Sequence, residues 1–189
     1  METFHYSISP FINAVTTGEI EVYNEFSLQL EMGLFLRNKL QGYRVQFERN
    51  VYFFTHSRSA FTKKEIDISV FSKDGNELKL AIELKYPRNG QYPEQMFSFC
   101  KDVAFIEELQ RTGFQRTALL IFAEDPLFYQ GSLEGIYGFF RAAKPLHGRI
   151  QKLTGAKDSE VTINGTYTVM WRPVIGALKY TLIEVGDVR

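Results

Sequence analysis

The stretch Glu65–Lys85, EIDISVFSKDGNELKLAIELK, limits what this chain can fold into more than any other. Two β-type runs, Ile66–Phe71 and Leu78–Lys85, flank Asp74-Gly75, a dipeptide that favours a tight hairpin turn. Each run sets acids between apolar residues: Asp67 between Ile66 and Ile68, Glu83 between Ile82 and Leu84. Lys85 follows Glu83 by two, so on a strand both side chains leave the same face. A carboxylate on one strand beside a carboxylate and an ammonium on the next can hold a hard divalent cation against an anionic substrate. A plainer reading competes with this one. In it Leu78, Leu80, Ile82 and Leu84 face the core, while Lys79, Glu83 and Lys85, with Glu65 and Asp67 alongside, form a wet sheet face.

The rest of the chain supplies partners for this hairpin. Ser9-Pro10 reads as a helix start, with Phe11–Val15 forming a turn or two. Thr16 and Glu19 have capping-box spacing, and Asn24 is a second candidate cap. A main helix runs through EFSLQLEMGLFLRNKL to a glycine stop at Gly42, with Leu28, Met32, Phe35, Leu36 and Leu40 as its apolar stripe. A strand follows over Tyr43–Phe54, then a loop at His56-Ser57-Arg58-Ser59. Beyond Lys85, Pro93 opens a helix over Glu94–Arg111 with Met96, Phe99, Val103 and Ile106 inside. Gln95, Ser98 and Asp102 fall on another face; Gln95 and Asp102 can point from it toward the strand-end acids, but a solvated helix face is the preferred reading for both. TALLIFA, Thr117–Ala123, is a buried strand by its length and continuous apolarity. Gly135–Leu153 reads as a helix with Ile136, Phe139, Phe140 and Ala143 inside, interrupted near Pro145. Thr166–Pro173 and Ala177–Val185 read as a final hairpin around Ile175-Gly176. The order is helix, three strands, helix, strand, helix, two strands, which predicts a mixed sheet covered by helices in one domain over 1–189.

Composition narrows the partners. The formal net charge of the 189 residues is zero, which argues against coating nucleic acid or membrane by bulk charge but leaves room for a local basic groove. The single cysteine, Cys100, sits in a helical apolar pattern, reads as a buried small hydrophobe, and suits a reducing compartment. No apolar run is long enough to span a bilayer and no signal pattern opens the chain, so the expectation is a cytoplasmic protein without a membrane partner.

In its order of elements and its acids, the chain resembles the PD-(D/E)XK nuclease superfamily, the restriction-endonuclease-like fold. Asp67 matches the family's Asp on the second strand, and Glu83-Leu84-Lys85 matches its E-x-K on the third. Ile66 stands where the PD proline would be, a position that varies in the superfamily. The resemblance covers roughly residues 24–123 and implies an α/β fold with an αβββαβ core. The C-terminal helix and β-hairpin extension lie outside it. The resemblance further implies a metal-dependent endonuclease or related hydrolase acting on DNA. Asp67, Glu83 and the main-chain carbonyl of Leu84 would hold Mg2+, with Mn2+ as substitute, and Lys85 would serve catalysis. The first helix often adds a glutamate. Glu31, about three turns before Gly42, is preferred for it over Glu25, whose place near the helix start is explained by the helix dipole alone. Glu48 on the first strand is a weaker candidate. Many nucleases of this type cut two strands as dimers, so a homodimer is among the implied partners.

Phosphate contacts would fall to Arg44, Arg49, Arg58, Lys63 and Lys64, or to Arg141, Lys144, His147, Arg149 and Lys152, with ordinary solvation an equal reading for each group. Trp171 and Tyr167 read as core rather than as a stacking platform. Two further functions stand beside the nuclease. One is a catalytically inactive module of the same fold that binds nucleic acid or a protein. The other is an unrelated α+β protein with a charged exposed face.

Overall fold

A computed structural model describes residues 8–56, 60–88, 90–142, 144–152 and 159–186. In chain order its elements are α1 (Ile8–Thr16), α2 (Glu25–Lys39), β1 (Tyr43–Asn50), a 3-10 turn (Val51–Phe53), β2 (Glu65–Ser72), β3 (Leu78–Lys85), α3 (Tyr92–Arg111) and β4 (Arg116–Ala123). A second 3-10 turn (Pro126–Phe128), α4 (Tyr137–Phe140), β5 (Leu146–Gln151), β6 (Glu160–Tyr167), β7 (Arg172–Ile175) and β8 (Leu178–Val185) complete it. The six-stranded sheet has the order β1-β2-β3-β4-β8-β7, and β5-β6 form a separate ribbon. Among the described strands only β3 and β4 pair in parallel, because α3 carries the chain back across the sheet between them. The architecture is mixed α/β with a mostly antiparallel sheet.

Local chemistry explains the boundaries. Asn24, rather than the Thr16–Glu19 pair, caps α2: its Oδ1 accepts the Ser27 N–H at 2.7 Å, and Ser27 Oγ accepts the Asn24 N–H at 3.1 Å. The helix closes at Leu40, so Gly42 lies beyond the cap rather than forming it. Gly75 takes φ +81°, the left-handed conformation that the β2–β3 turn needs and glycine adopts without strain. The expected strand over Tyr43–Phe54 is shorter, because Asn50 caps the 3-10 turn by accepting the Tyr52 N–H at 3.0 Å.

The sheet is covered on both faces. Leu28, Met32 and Leu36 of α2 and Phe11 of α1 pack on Ile68, Val70, Ile82, Leu84, Leu120 and Phe122. Met96, Phe99, Val103 and Ile106 of α3 pack on Leu119, Ile121 and Ile183, with Ile150 and Ile163 of the β5-β6 ribbon closing over them. Each such side chain, fully buried, contributes about 1.5–3 kcal/mol relative to exposure. Cys100 lies in this second core, where burial pushes its thiol far above the ordinary range.

Two expectations fail beyond β4. No helix fills 135–153: among the described residues α4 is four residues long, and β5 follows Pro145. Ile136 and Phe140 are buried as the helical spacing requires, but they belong to a single turn, while Leu146 and Ile150 alternate as strand residues against β6. Ala143 and Leu153 lie outside the described residues. The expected strand over Thr166–Pro173 is also divided. Thr166 and Tyr167 end β6, and Arg172 and Pro173 begin β7, which pairs with β8 across Gly176.

Candidate active site

The β2–β3 ladder runs from Phe71↔Leu78 to Ile68↔Ile82. One residue further, at Asp67 and Glu83, the strands fork, and side chains take over the main-chain bonding. Asp67 Oδ2 accepts the Leu84 N–H at 2.7 Å, and Glu83 Oε1 accepts the Asp67 N–H at 3.3 Å. The Asp67 carbonyl accepts Gln29 Nε2 of α2 at 2.9 Å. The two sequence-predicted acids are therefore drawn together at the strand ends. Lys85 joins them, with Nζ 4.0 Å from Asp67 Oδ2 and 2.9 Å from the Leu84 carbonyl that accepts its hydrogen bond.

This face of β3 is not wet. Glu83 has no exposed surface, because α3 lies over it. Asp102 of α3, which the helix pattern reads as solvated, is 1% exposed and looks onto the same place. Between them stands Lys63, whose ammonium forms an ion pair with Glu83 Oε2 and lies 3.0 Å from Asp102 Oδ1. Asp102 Oδ2 is 3.8 Å from Lys85 Nζ and has no hydrogen-bond partner although it is buried. Lys63, expected as a phosphate contact, is turned inward. No motif signals this, since it precedes β2 on the connection from the Val51–Phe53 turn and reaches the site only through the fold.

On the other side of the fork a cavity of about 210 Å3 is lined by Glu25, Phe26, Gln29, Glu48, Asp67 and Leu84. Glu25, the first residue of α2, reaches the site: its carboxylate is 3.5 Å from Lys85 Nζ and accepts the Tyr86 N–H at 3.2 Å. Glu31 does not. It is half-buried further along α2 and makes no hydrogen bond or ion pair with Asp67, Glu83 or Lys85. Glu48 accepts Gln29 Nε2 at 2.6 Å and holds φ +48°, an uncommon conformation for a non-glycine residue that is often found near functional sites.

Burial pushes the Glu83 carboxyl well above the usual range, the Asp67 charge beside it pushes the same way, and Lys63 offsets only part of this. Burial likewise raises Asp102 against the pull of Lys85 and Lys63. For both lysines burial acts downward and loses. Glu83, Asp102 and Asp67 hold Lys63 above its ordinary value, and Asp102, Asp67 and Glu25 do so for Lys85. Both lysines are therefore ammonium ions at neutral pH.

The donor set, carboxylate oxygens with the Leu84 carbonyl beside them, is the kind a hard ion such as Mg2+ takes. The buried Asp102 Oδ2, which among the described residues accepts no hydrogen bond and has only the Lys85 ammonium at 3.8 Å, also suits a cation. Among the described residues, however, no three Asp, Glu, His or Cys side chains already stand in metal-ligating geometry. Lys63 holds Glu83 Oε2, and the Leu84 N–H holds Asp67 Oδ2. The residues fit the ion in kind, with a lysine standing where its charge would act.

The outer basic residues divide. Arg44 and Lys64 are exposed, Arg49 stacks on the Phe53 ring at 3.7 Å, Arg149 pairs with Glu160, and Arg141 bonds the carbonyls of Leu127 and Ser132. His147 Nδ1 bonds the Gly165 carbonyl at 2.7 Å, Lys144 lies 4.1 Å from the Phe139 ring centre, and Arg58 lies outside the described residues. Trp171 donates to the Phe140 carbonyl at 2.8 Å and Tyr167 to Glu107 at 3.0 Å, and both rings pack, partly buried, against the second core. No helix among the described residues is long and apolar enough to cross a membrane. Comparison with known proteins finds no matching family model, no matching curated protein and no matching solved structure.

Proposed function

We propose that this chain is a divalent-metal-dependent nuclease of the PD-(D/E)XK kind, hydrolysing phosphodiester bonds in DNA. The observation that carries the reading is the fork: Asp67, Glu83 and Lys85 meet where β2 and β3 part, with Glu25 of the preceding helix touching Lys85. The succession α2-β1-β2-β3-α3-β4, with three antiparallel strands and a parallel fourth, also supports an αβββαβ core.

Asp67, Glu83 and the Leu84 carbonyl would hold Mg2+ or Mn2+. When bound, the ion supplies an acidified water and polarises the phosphate. Lys85, kept protonated by the acids around it, acts as a fixed cation that stabilises charge developing on phosphate oxygens, rather than as the base. Glu25 orients Lys85 from the far side. Gln29, bonded to both Glu48 and the Asp67 carbonyl, holds α2 on the fork. Arg88, three residues past Lys85, and Lys64 are exposed cations that would meet backbone phosphates.

The test is Mn2+- and Mg2+-dependent cleavage of single-stranded, duplex and branched DNA by wild type, Asp67→Asn, Glu83→Gln and Lys85→Met. Each substitution is expected to cut the rate at least about 100-fold. Undiminished cleavage in all three would remove the site. One observation favours a second reading, a non-catalytic module of this architecture: a lysine already neutralises Glu83. Calorimetry separates the two, since the module requires that neither metal bind at Glu83.

A further inference from the structure

We propose that Lys63 sets the metal occupancy of this site: its ammonium holds the position on Glu83 and Asp102 that a divalent cation needs, and the ion binds by displacing it. This rests on the metal-dependent reading above and adds to it a residue that neither the D…ExK pattern nor the strand register contains.

Three observations carry it. First, Lys63 makes the closest charged contact of Glu83 and also pairs with Asp102, so it bridges two acids on different elements, as a bound ion would. Second, the cluster is unevenly charged. Among the described residues, Glu25, Asp67, Glu83 and Asp102 pair only with Lys63 and Lys85, and the buried Asp102 Oδ2 accepts no hydrogen bond there, with Lys85 Nζ 3.8 Å away. Removing Lys63 leaves more negative charge and a free Glu83 oxygen. Third, the two lysines differ in freedom. Lys85 is on β3, 13% exposed, and tied to Glu25, Asp67, Asp102 and the Leu84 carbonyl. Lys63 arrives from the connection ahead of β2 on a flexible four-carbon stem and is 28% exposed, so its ammonium has a route to water that Glu83 and Asp102 lack. An incoming dication therefore finds one cation that can leave and one that stays.

Competition for Glu83 weakens metal binding, and the measurement follows from that. Mn2+ titration by calorimetry is expected to show affinity at least about tenfold tighter for Lys63→Met than for wild type, a change of about 1.4 kcal/mol. Lys63→Arg, which keeps the charge and adds a bidentate grip on carboxylate, is expected to bind more weakly than wild type. Wild-type protein gives a second readout that no folding defect can obscure. Acetylation of lysines followed by mass spectrometry should show Lys63 labelling rise when Mn2+ saturates the protein, with exposed Lys73 of the β2–β3 turn unchanged. If wild type binds Mn2+ in a Glu83-dependent way but Lys63→Met binds no tighter, or Lys63 labelling ignores the metal, Lys63 is not the competitor and the metal site stands. If neither wild type nor Lys63→Met binds Mn2+, the metal site and this inference fall together.

Discussion

Glu25 and Glu31 lie six residues apart on one helix, which turns them to different faces. Counting back from Gly42 points to Glu31, but α2 closes at Leu40 and opens on the Asn24 cap, which sets Glu25 at the sheet edge beside Lys85. The dipole argument that explained Glu25 away remains true and does not conflict with a role. Glu25→Gln is accordingly expected to lower single-turnover cleavage about tenfold or more, and Glu31→Gln to leave it unchanged.

At the scale of elements, the β5-β6 ribbon shows why local patterns misled. A two-stranded ribbon is marginal alone and takes its stability from what it packs against. Here Glu107 of α3 supplies the anchor: it accepts the N–H groups of Asn164 at 3.0 Å and Gly165 at 2.6 Å, the Asn164 side chain at 2.9 Å and the Tyr167 hydroxyl at 3.0 Å. No sequence period announces a contact spanning 57 residues, so the apolar spacing of Ile136, Phe139 and Phe140 reads as a long helix instead. Burial pushes Glu107 upward, but these bonds win and hold it below the usual range. Its stabilisation is therefore full above 4.5 and lost as pH falls through its lowered value. Glu107→Ala leaves buried donors unpaired and is expected to cost about 2–4 kcal/mol in chemical denaturation at pH 7, with a smaller loss at pH 3.

Over the whole molecule, what could be read early was what repeats. The apolar members Ile66, Ile68, Val70, Leu80, Ile82 and Leu84 of β2 and β3, the stripe of Leu28, Met32 and Leu36, and the unbroken run of β4 are all buried, although the face of β3 that alternation gives to water is buried too. Helices on both faces turn β4 into the centre of the molecule, between β3 and β8. Leu120→Ala there is expected to cost about 2–5 kcal/mol and lower the melting temperature by several degrees, measured by calorimetry. What could not be read was whatever the fold brings together from separate connections. Lys63 carries no period or motif, and it meets Glu83 and Asp102 only once α3 has crossed the sheet.

The parting of β2 from β3 has one more consequence. At that point the acids bond the main chain: Asp67 satisfies Leu84, and Glu83 satisfies Asp67. The groups proposed to handle phosphate are also the stitches that finish the hairpin. Selection for a sound sheet alone would keep them, so in any lineage of this chain the lysine is the better witness to chemistry. Under the proposed function, loss of Lys85 removes the cation that faces phosphate, whereas loss of Asp67 also leaves the Leu84 N–H unpaired where β2 and β3 part.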